Sequence, residues 1–429
     1  MSGYARAAHA LGASVSGSDR TSTPYLERLR AEGVLDAHIG HASANVPAGS
    51  DVELVHSSAV LPKNPERLAA RERGLPDRPR ADLLAELSSL RRTIAVAGAH
   101  GKTTTSSMIV HILRACGLNP SWLVGSSIGS GLENSHWAPG DLGDWLVVEA
   151  DESDRSMLSL HVDIAVLTNV ELDHHATFSS LEELREAFRE FLAGAPAAVI
   201  WDRPELHQLR EGRAIFYDLA EPHTRNGGST FDWRGHRVSL SVPGVHNALN
   251  ALGALEASVL AGADERQAIA GLTAFTGAAR RFQLLGKTPR GALVYDDYAH
   301  HPTEVAATLA AARTLEPERL VAVFQPHLYS RTALLAEEFG AALAQADAIV
   351  LLDVYPARER AEDYPGVSGL TLADTTEAYA GESQVLWRAS FEQAEVALAD
   401  LLEAGDLCVV MGAGDVDALA RRLVGRDGV

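Results

Sequence analysis

The residues best suited to chemistry form a turn between two glycines that ends in lysine and threonine, Gly98-Ala99-His100-Gly101-Lys102-Thr103-Thr104. Glycines let backbone N–H groups approach phosphate oxygens, and a helix beginning at the Lys-Thr pair adds partial positive charge from its N-terminus. Lys102 can then reach the terminal phosphates of a nucleotide, and the Thr103 hydroxyl can ligate Mg²⁺. The turn is shorter than the commonest phosphate loop, with Gly98 only three positions before Gly101. Gly-Lys-Thr also opens ordinary helices. An apolar strand before it and an apolar-periodic helix after it favour the phosphate cradle.

Two polar clusters lie downstream. Glu149-Ala150-Asp151-Glu152-Ser153-Asp154 is acidic, and Glu171, Asp173, His174 and His175 add carboxylates and imidazoles. Such runs read either as solvated turns and surface histidines or as ligands for a divalent cation. Their position decides for the metal in the acidic case: the first follows the apolar run 145–148 and the second follows 164–167. The phosphate turn likewise follows 94–97. In an open parallel sheet the C-terminal ends of strands line one crevice, so three strands would deliver phosphate-binding and metal-binding groups to one place.

The elements that must hold these groups read as α/β throughout. In the first part, helices at 4–11, 24–32, 64–74 and 81–90 alternate with strand-like runs at 13–16, 33–39 and 52–56. Asp19 stands at a strand end, where a dinucleotide-type domain places a ribose or base contact, and Ser57-Ser58 follow the strand at 52–56. The proline cluster 76–79 leads into the helix at 81–90, and Arg91-Arg92 reads as a boundary. In the middle part, His246 and Asn247 open an Ala-rich helix with Asn250 one turn on, as a helix cap or as contacts to a base. Arg280-Arg281-Phe282-Gln283 follows a helix and can direct guanidinium groups at phosphates. The last part repeats strand, polar loop and helix. Strands at 291–295, 320–324, 348–352 and 407–410 release Asp296, His300 and His301, then 325–332 with Arg331, then Asp353, then the glycines 412 and 414. That order predicts a second doubly wound sheet. The stretch 362–376 is expected to be a mobile loop.

Composition bounds the function. A chain of 429 residues, 46% hydrophobic and 22% charged, is globular and long enough for about three domains. A formal charge of −20 argues against non-specific nucleic-acid binding while leaving room for a nucleotide in a local cation site. Cys116 and Cys408 lie in apolar contexts and read as buried thiols of a reducing compartment. No run is long and apolar enough to span a membrane, and no signal peptide is read at the start, so a cytoplasmic protein without membrane insertion is expected.

The motifs at 98–105, 149–154, 168–174, 246–250 and 280–283 resemble the central domain of the Mur ligases, and the resemblance extends over essentially the whole chain. It implies three domains: a Rossmann-like UDP-sugar domain at 1–91, a central ATP-binding domain of the P-loop ATPase kind at 92–285, and a Rossmann-like C-terminal domain at 286–429 binding amino acid and ATP. It implies ATP as phosphoryl donor and two Mg²⁺. Gly98, Ala99, His100, Gly101, Lys102, Thr103 and Thr104 would hold the phosphates. Thr103 and Glu152 would hold one metal, and Glu152 and His174 the other. His246, Asn247, Asn250 and Asp296 would meet the nucleotide, and Arg281 the phosphates. Tyr295 to Glu304 and Phe324 to Thr332 resemble the branch that joins L-alanine to UDP-N-acetylmuramate in building peptidoglycan. There His301 and Arg331 would bind the amino acid, and Asp19, Ser57 and Ser58 the UDP moiety.

Two departures from the family accompany the resemblance. Its first strand and Gly-rich turn would lie before Met1, so either the start is misassigned or the first domain is truncated, and many members carry Arg where Leu328 stands. No lysine lies between Lys102 and Lys287, in keeping with the branch that lacks a carbamylated lysine. Two other readings stand beside alanine ligation: a sister ligase that recycles tripeptides onto UDP-muramic acid, and a non-catalytic nucleotide-binding remnant.

Overall fold

The computed structural model describes residues 1–425 apart from 130, 141, 142, 175, 176 and 221. Two compact units separate, Met1–Asp218 with Leu252–Leu272, and Leu219–Ala251 with Thr273–Val429. The division at 91 and 285 stands as a proposal from sequence.

The first unit is built on a seven-stranded sheet in the order Ile215–Tyr217, Ala197–Trp201, Ile164–Leu167, Arg92–Ala97, Trp145–Glu149, Ser121–Leu123, Ser135–His136. All neighbours pair in parallel except the last two. Residues 93–97 are all buried, as an unbroken apolar run requires when both faces of a parallel sheet are covered. The helix Leu181–Ala193 covers one face. Ser180 accepts a hydrogen bond from the Glu183 N–H at its start, and Leu184, Ala187, Phe188, Phe191 and Leu192 are its buried stripe. Full burial of Phe188 alone is worth about 1.5–3 kcal/mol.

Ahead of this sheet the chain forms two parallel strand pairs, Ser16–Asp19 with Asp36–Ile39 and Leu54–His56 with Asp77–Pro79. No strand hydrogen bonds join the pairs among the described residues. Glu66 links them instead. From the helix Pro65–Glu72 it accepts from Ser18 Oγ (2.7 Å), from the Ala42 N–H (3.3 Å) and from Asn45 (2.7 Å). Residues 77–79 of the proline cluster, not read as a strand from sequence, supply the partner of Leu54–His56. Pro79 sits at its end, where the missing N–H costs least.

The second unit holds a three-stranded antiparallel sheet, His223–Arg225, Gly228–Trp233 and His236–Leu240. Its larger sheet runs Gln283–Lys287, Leu293–Asp297, Asp406–Met411, Arg319–Phe324, Ala348–Leu352, Gln384–Arg388, with only the first strand antiparallel. Alternation along Arg319–Phe324 feeds two cores: Leu320, Ala322 and Phe324 enter one, Val321 and Val323 the other. This is the doubly wound α/β arrangement expected from the repeated strand-loop-helix order.

The expected loop 362–376 is corrected from residue 369 onward, where the helix Gly369–Ala380 begins. It is the crossover that two neighbouring parallel strands, Ala348–Leu352 and Gln384–Arg388, must have between them. Leu372, Ala373, Thr376 and Ala380 are its buried face. Gly369 lies so close to the Leu352 carbonyl that a Cβ would overlap it. A reciprocal cap starts the helix: the Thr371 N–H donates to Ser368 Oγ (3.2 Å) and the Ser368 N–H to Thr371 Oγ1 (2.9 Å). Ser368→Ala should therefore cost about 1 kcal/mol in chemical denaturation. An unchanged midpoint would show that the cap contributes nothing.

Candidate active site

The sheet order of the first unit puts Arg92–Ala97 between Trp145–Glu149 and Ile164–Leu167, so the three strand ends singled out by sequence are neighbours. The turn after Arg92–Ala97 is clamped by the next strand end. The Thr168 hydroxyl donates to the carbonyls of His100 (2.6 Å) and Ala97 (3.1 Å). Asn169 accepts from the His100 N–H (2.9 Å) and donates to the His100 carbonyl (2.9 Å). Gly98 has φ +131° and no room for a Cβ, which would overlap Thr168 Oγ1. Gly101, at φ 83°, turns the chain into the helix Lys102–Ala115. Thr168 and Asn169 were visible in sequence only as a strand end; their clamping role depends on pairing between strands.

Lys102 is the centre of this arrangement. Its Nζ donates to Glu152 Oε1 (2.8 Å) and Oε2 (3.0 Å) and to the Gly98 carbonyl (2.6 Å). Burial alone would lower its pKa, but Glu152, Asp151 and Glu149 outweigh burial and raise it, so the amine stays charged. Glu152 is 2% exposed and also faces His174, whose Nε2 lies 3.5 Å from Oε1. The Thr103 hydroxyl donates to Glu149 (3.1 Å), which also accepts from the Gly125 N–H. Glu149 was read only as part of the acidic cluster; here it orients Thr103. Thr104 is buried behind the turn. Hydroxyl, carboxylate and imidazole groups beside one half-buried lysine are a donor set suited to Mg²⁺ and phosphate. His175 lies outside the described residues. Asp19 is exposed at the end of Ser16–Asp19, Ser57 is half-buried just past Leu54–His56, and Ser58 is exposed.

A second group forms within the other unit. His246 lies near Glu304 and Arg281, and burial pushes its pKa down to about 4. Asn247 is buried inside the helix Val245–Leu260 and donates to the Pro243 carbonyl (2.7 Å), so it does not act as the helix cap. Asn250, also buried, donates to Asn247 Oδ1 (3.5 Å). Arg281 lies over the Tyr298 ring, 3.9 Å from Glu304, which also accepts from the His300 N–H (3.0 Å). His300 meets the His327 ring edge-on, and His327 stacks on Tyr355. Arg331, 5% exposed, donates to His327 Nδ1 (3.2 Å). His301 is buried and caps the helix Pro302–Arg313 through its Nδ1. Leu328 holds φ 72°, a strained backbone for a leucine, directly before the helix Tyr329–Leu334.

Fold and site are those of an α/β protein with a glycine turn and a lysine-led helix at the end of a central parallel strand. Residues 1–92 match the Mur ligase family catalytic domain, 96–258 the Mur ligase middle domain and 280–414 the Mur ligase glutamate ligase domain. The chain belongs to the Mur ligase family. A UDP-N-acetylmuramate–L-alanine ligase of Rubrobacter xylanophilus is 42% identical, over 99% of this chain and 97% of the relative. One from Mycolicibacterium gilvum is 40% identical, over 99% and 93%. The crystal structure of the UDP-N-acetylmuramate–alanine ligase MurC of Thermotoga maritima superposes with a TM-score of 0.84 at 26% identity, covering 99% of this chain and 96% of that one. A murein peptide ligase of Psychrobacter arcticus shares the fold, with a TM-score of 0.72 at 23% identity over 100% of this chain and 97% of that one.

Asp296 is fully buried, and among the described residues neither carboxylate oxygen has a hydrogen-bond donor; the Arg280 Nε lies 3.5 Å away. Burial raises its pKa to about 7, against the pull of Arg280. Burial likewise raises Asp297 to about 6, although it accepts the N–H groups of Phe282 and Ala299 (both 2.7 Å). The folded chain keeps protons that the unfolded chain, with carboxyls near about 4, has lost. Stability therefore declines as pH rises from about 4 to about 7 through these groups. Asp296→Asn cannot ionise and should gain about 2–4 kcal/mol relative to the parent at about pH 8, with little gain at about pH 4.5. Equal shifts in thermal midpoint at the two pH values would refute this assignment.

Proposed function

We infer that this chain is an ATP-dependent ligase that joins L-alanine to UDP-N-acetylmuramate, a step in making peptidoglycan precursors. The carrying observation is full-length identity of 40–42% to relatives of that name. A carboxylate oxygen is a poor leaving group. Transfer of the terminal phosphoryl group of ATP to the lactyl carboxylate gives an acyl phosphate, and attack by the alanine amine expels phosphate through a tetrahedral intermediate.

Roles for individual residues follow as proposals. Lys102 would leave Glu152 for the terminal phosphate and offset the charge spread over the transferred group. Glu152, released from that pair, would hold Mg²⁺ with Thr103 at one position and with His174 at a second. When bound, the metal would supply charge neutralisation on the phosphates. Gly98, Ala99, His100, Gly101 and Thr104 would shape the cradle, with His246, Asn247, Asn250 and Asp296 on the nucleotide and Arg281 on phosphate. Arg331 and His301 would receive the alanine, and Asp19, Ser57 and Ser58 the UDP moiety. Among the described residues no helix is long and apolar enough to cross a membrane. We place the reaction in the cytoplasm, where ATP is supplied.

Lys102→Ala should abolish phosphate release dependent on UDP-N-acetylmuramate and L-alanine, a loss of about a thousandfold or more in kcat. Near-normal turnover would sink the lysine's role. A panel setting L-alanine against a tripeptide tests the ligation itself. Alanine should be consumed and the tripeptide ignored; the reverse preference would overturn the reading.

A further inference from the structure

Arg80 opens the helix Arg80–Ser89 directly after the strand Asp77–Pro79. Its guanidinium reaches across to the turn that carries Glu152. Nη2 donates to Asp151 Oδ2 (2.9 Å) and Asp154 Oδ2 (2.7 Å), and Nε donates to Asp154 Oδ2 (3.2 Å). Each of these carboxylates uses its other oxygen on the turn itself. Asp151 Oδ1 accepts the Ser153 N–H (2.9 Å), and Asp154 Oδ1 accepts the Ser156 N–H (3.1 Å). Glu152, between them in sequence, goes the other way, to Lys102 at 2.8 Å and toward His174 at 3.5 Å. Tyr4, on the helix Ser2–Ala10, lies beside the same guanidinium.

This division has a physical reason. Three carboxylates within four residues repel one another and would compete for Lys102. One guanidinium offers several donors in a rigid fork, so it can gather two carboxylates on one side and leave the third for the lysine. Its anchor is the end of Asp77–Pro79, which pairs with Leu54–His56 immediately before Ser57.

We propose that Arg80 is a positioning residue for phosphoryl transfer: by holding Asp151 and Asp154, it aims Glu152 at Lys102 and the metal position, and it ties that turn to the strand pair that presents Ser57. It touches neither substrate nor metal and acts through the turn. The kinetic arm of its test rests on the ligation reading; the metal-binding arm does not.

The test measures Mn²⁺ binding to the full chain by electron paramagnetic resonance, with a non-hydrolysable ATP analogue, alongside steady-state kinetics. Arg80→Ala should weaken Mn²⁺ binding roughly tenfold and lower kcat by about the same factor, as loss of a group that orients a metal ligand does. The KM for L-alanine should stay within about twofold, because that substrate is assigned elsewhere, and Arg80→Lys should recover part of the Mn²⁺ affinity. If Arg80→Ala does not fold, the paired change Asp151→Asn and Asp154→Asn removes the same anchors and leaves the helix start intact; it should weaken Mn²⁺ binding to a similar degree. A folded variant with a lowered thermal midpoint but Mn²⁺ affinity within about twofold of the parent would overturn the proposal and leave Arg80 a purely structural ion pair. Should the parent show no alanine ligation, the kinetic arm fails with the functional reading, and the Mn²⁺ comparison alone still decides the role of Arg80.

Discussion

The ion pair between half-buried Lys102 and buried Glu152 is the constraint on which the first unit's site depends. Glu152 is almost wholly enclosed, and a lone carboxylate there would be costly; removing one partner of such a pair typically costs about 3–5 kcal/mol. The pair joins the phosphate turn to the acidic turn, two segments fifty residues apart in the chain. The clamp by Thr168 and Asn169 fixes the phosphate turn on one side, and the guanidinium of Arg80 fixes the acidic turn on the other. Lys102 is therefore held in one defined position, with its charge kept by neighbouring carboxylates.

The second unit solves a different problem. Its segment 280–282 must bend sharply, with Arg280 at φ 58° and Phe282 at φ 49°. Such backbone persists only where the surroundings hold it. Here the Arg280 carbonyl accepts the Tyr298 N–H (2.8 Å), and the Phe282 N–H donates to Asp297 (2.7 Å). Arg280 itself donates to the carbonyls of Gly412 and Gly414. The bend leaves Arg281 over Tyr298, beside Glu304 and His246. Asp297, which accepts the Phe282 N–H of this bend, is one of the two adjacent carboxyls whose pKa burial raises.

Much of this was legible in the chain because the relevant signals are local. An unbroken apolar run before glycine and lysine can be read without knowing its neighbours, and so can polar residues placed just after such runs. The failures share a cause. Asp77–Pro79 contains a proline and few apolar residues, and it is a strand only because Leu54–His56 lies beside it. Gly369–Ala380 begins amid glycine, proline and acidic residues that suggest a loop, and helix is imposed by the need to cross between parallel strands and by a local cap. Asn247 looked like a cap because it stands at a helix start, yet the helix begins earlier and its side chain serves Pro243.

Sequence by itself determined the α/β class, the glycine turn between strand and helix, the two polar clusters at strand ends and the membership suggested by their order, since each depends on residue type and short spacing. Tertiary structure decided which strands are neighbours, and with that which groups meet. Lys102 pairs with Glu152, while a distant arginine, Arg80, takes Asp151 and Asp154. Asp296 is sealed in the sheet while Asp297 is hydrogen-bonded to the bend, although the two are adjacent and identical in type. Burial and electrostatic partnership depend on every element packed around a side chain, and no stretch of sequence carries that information alone.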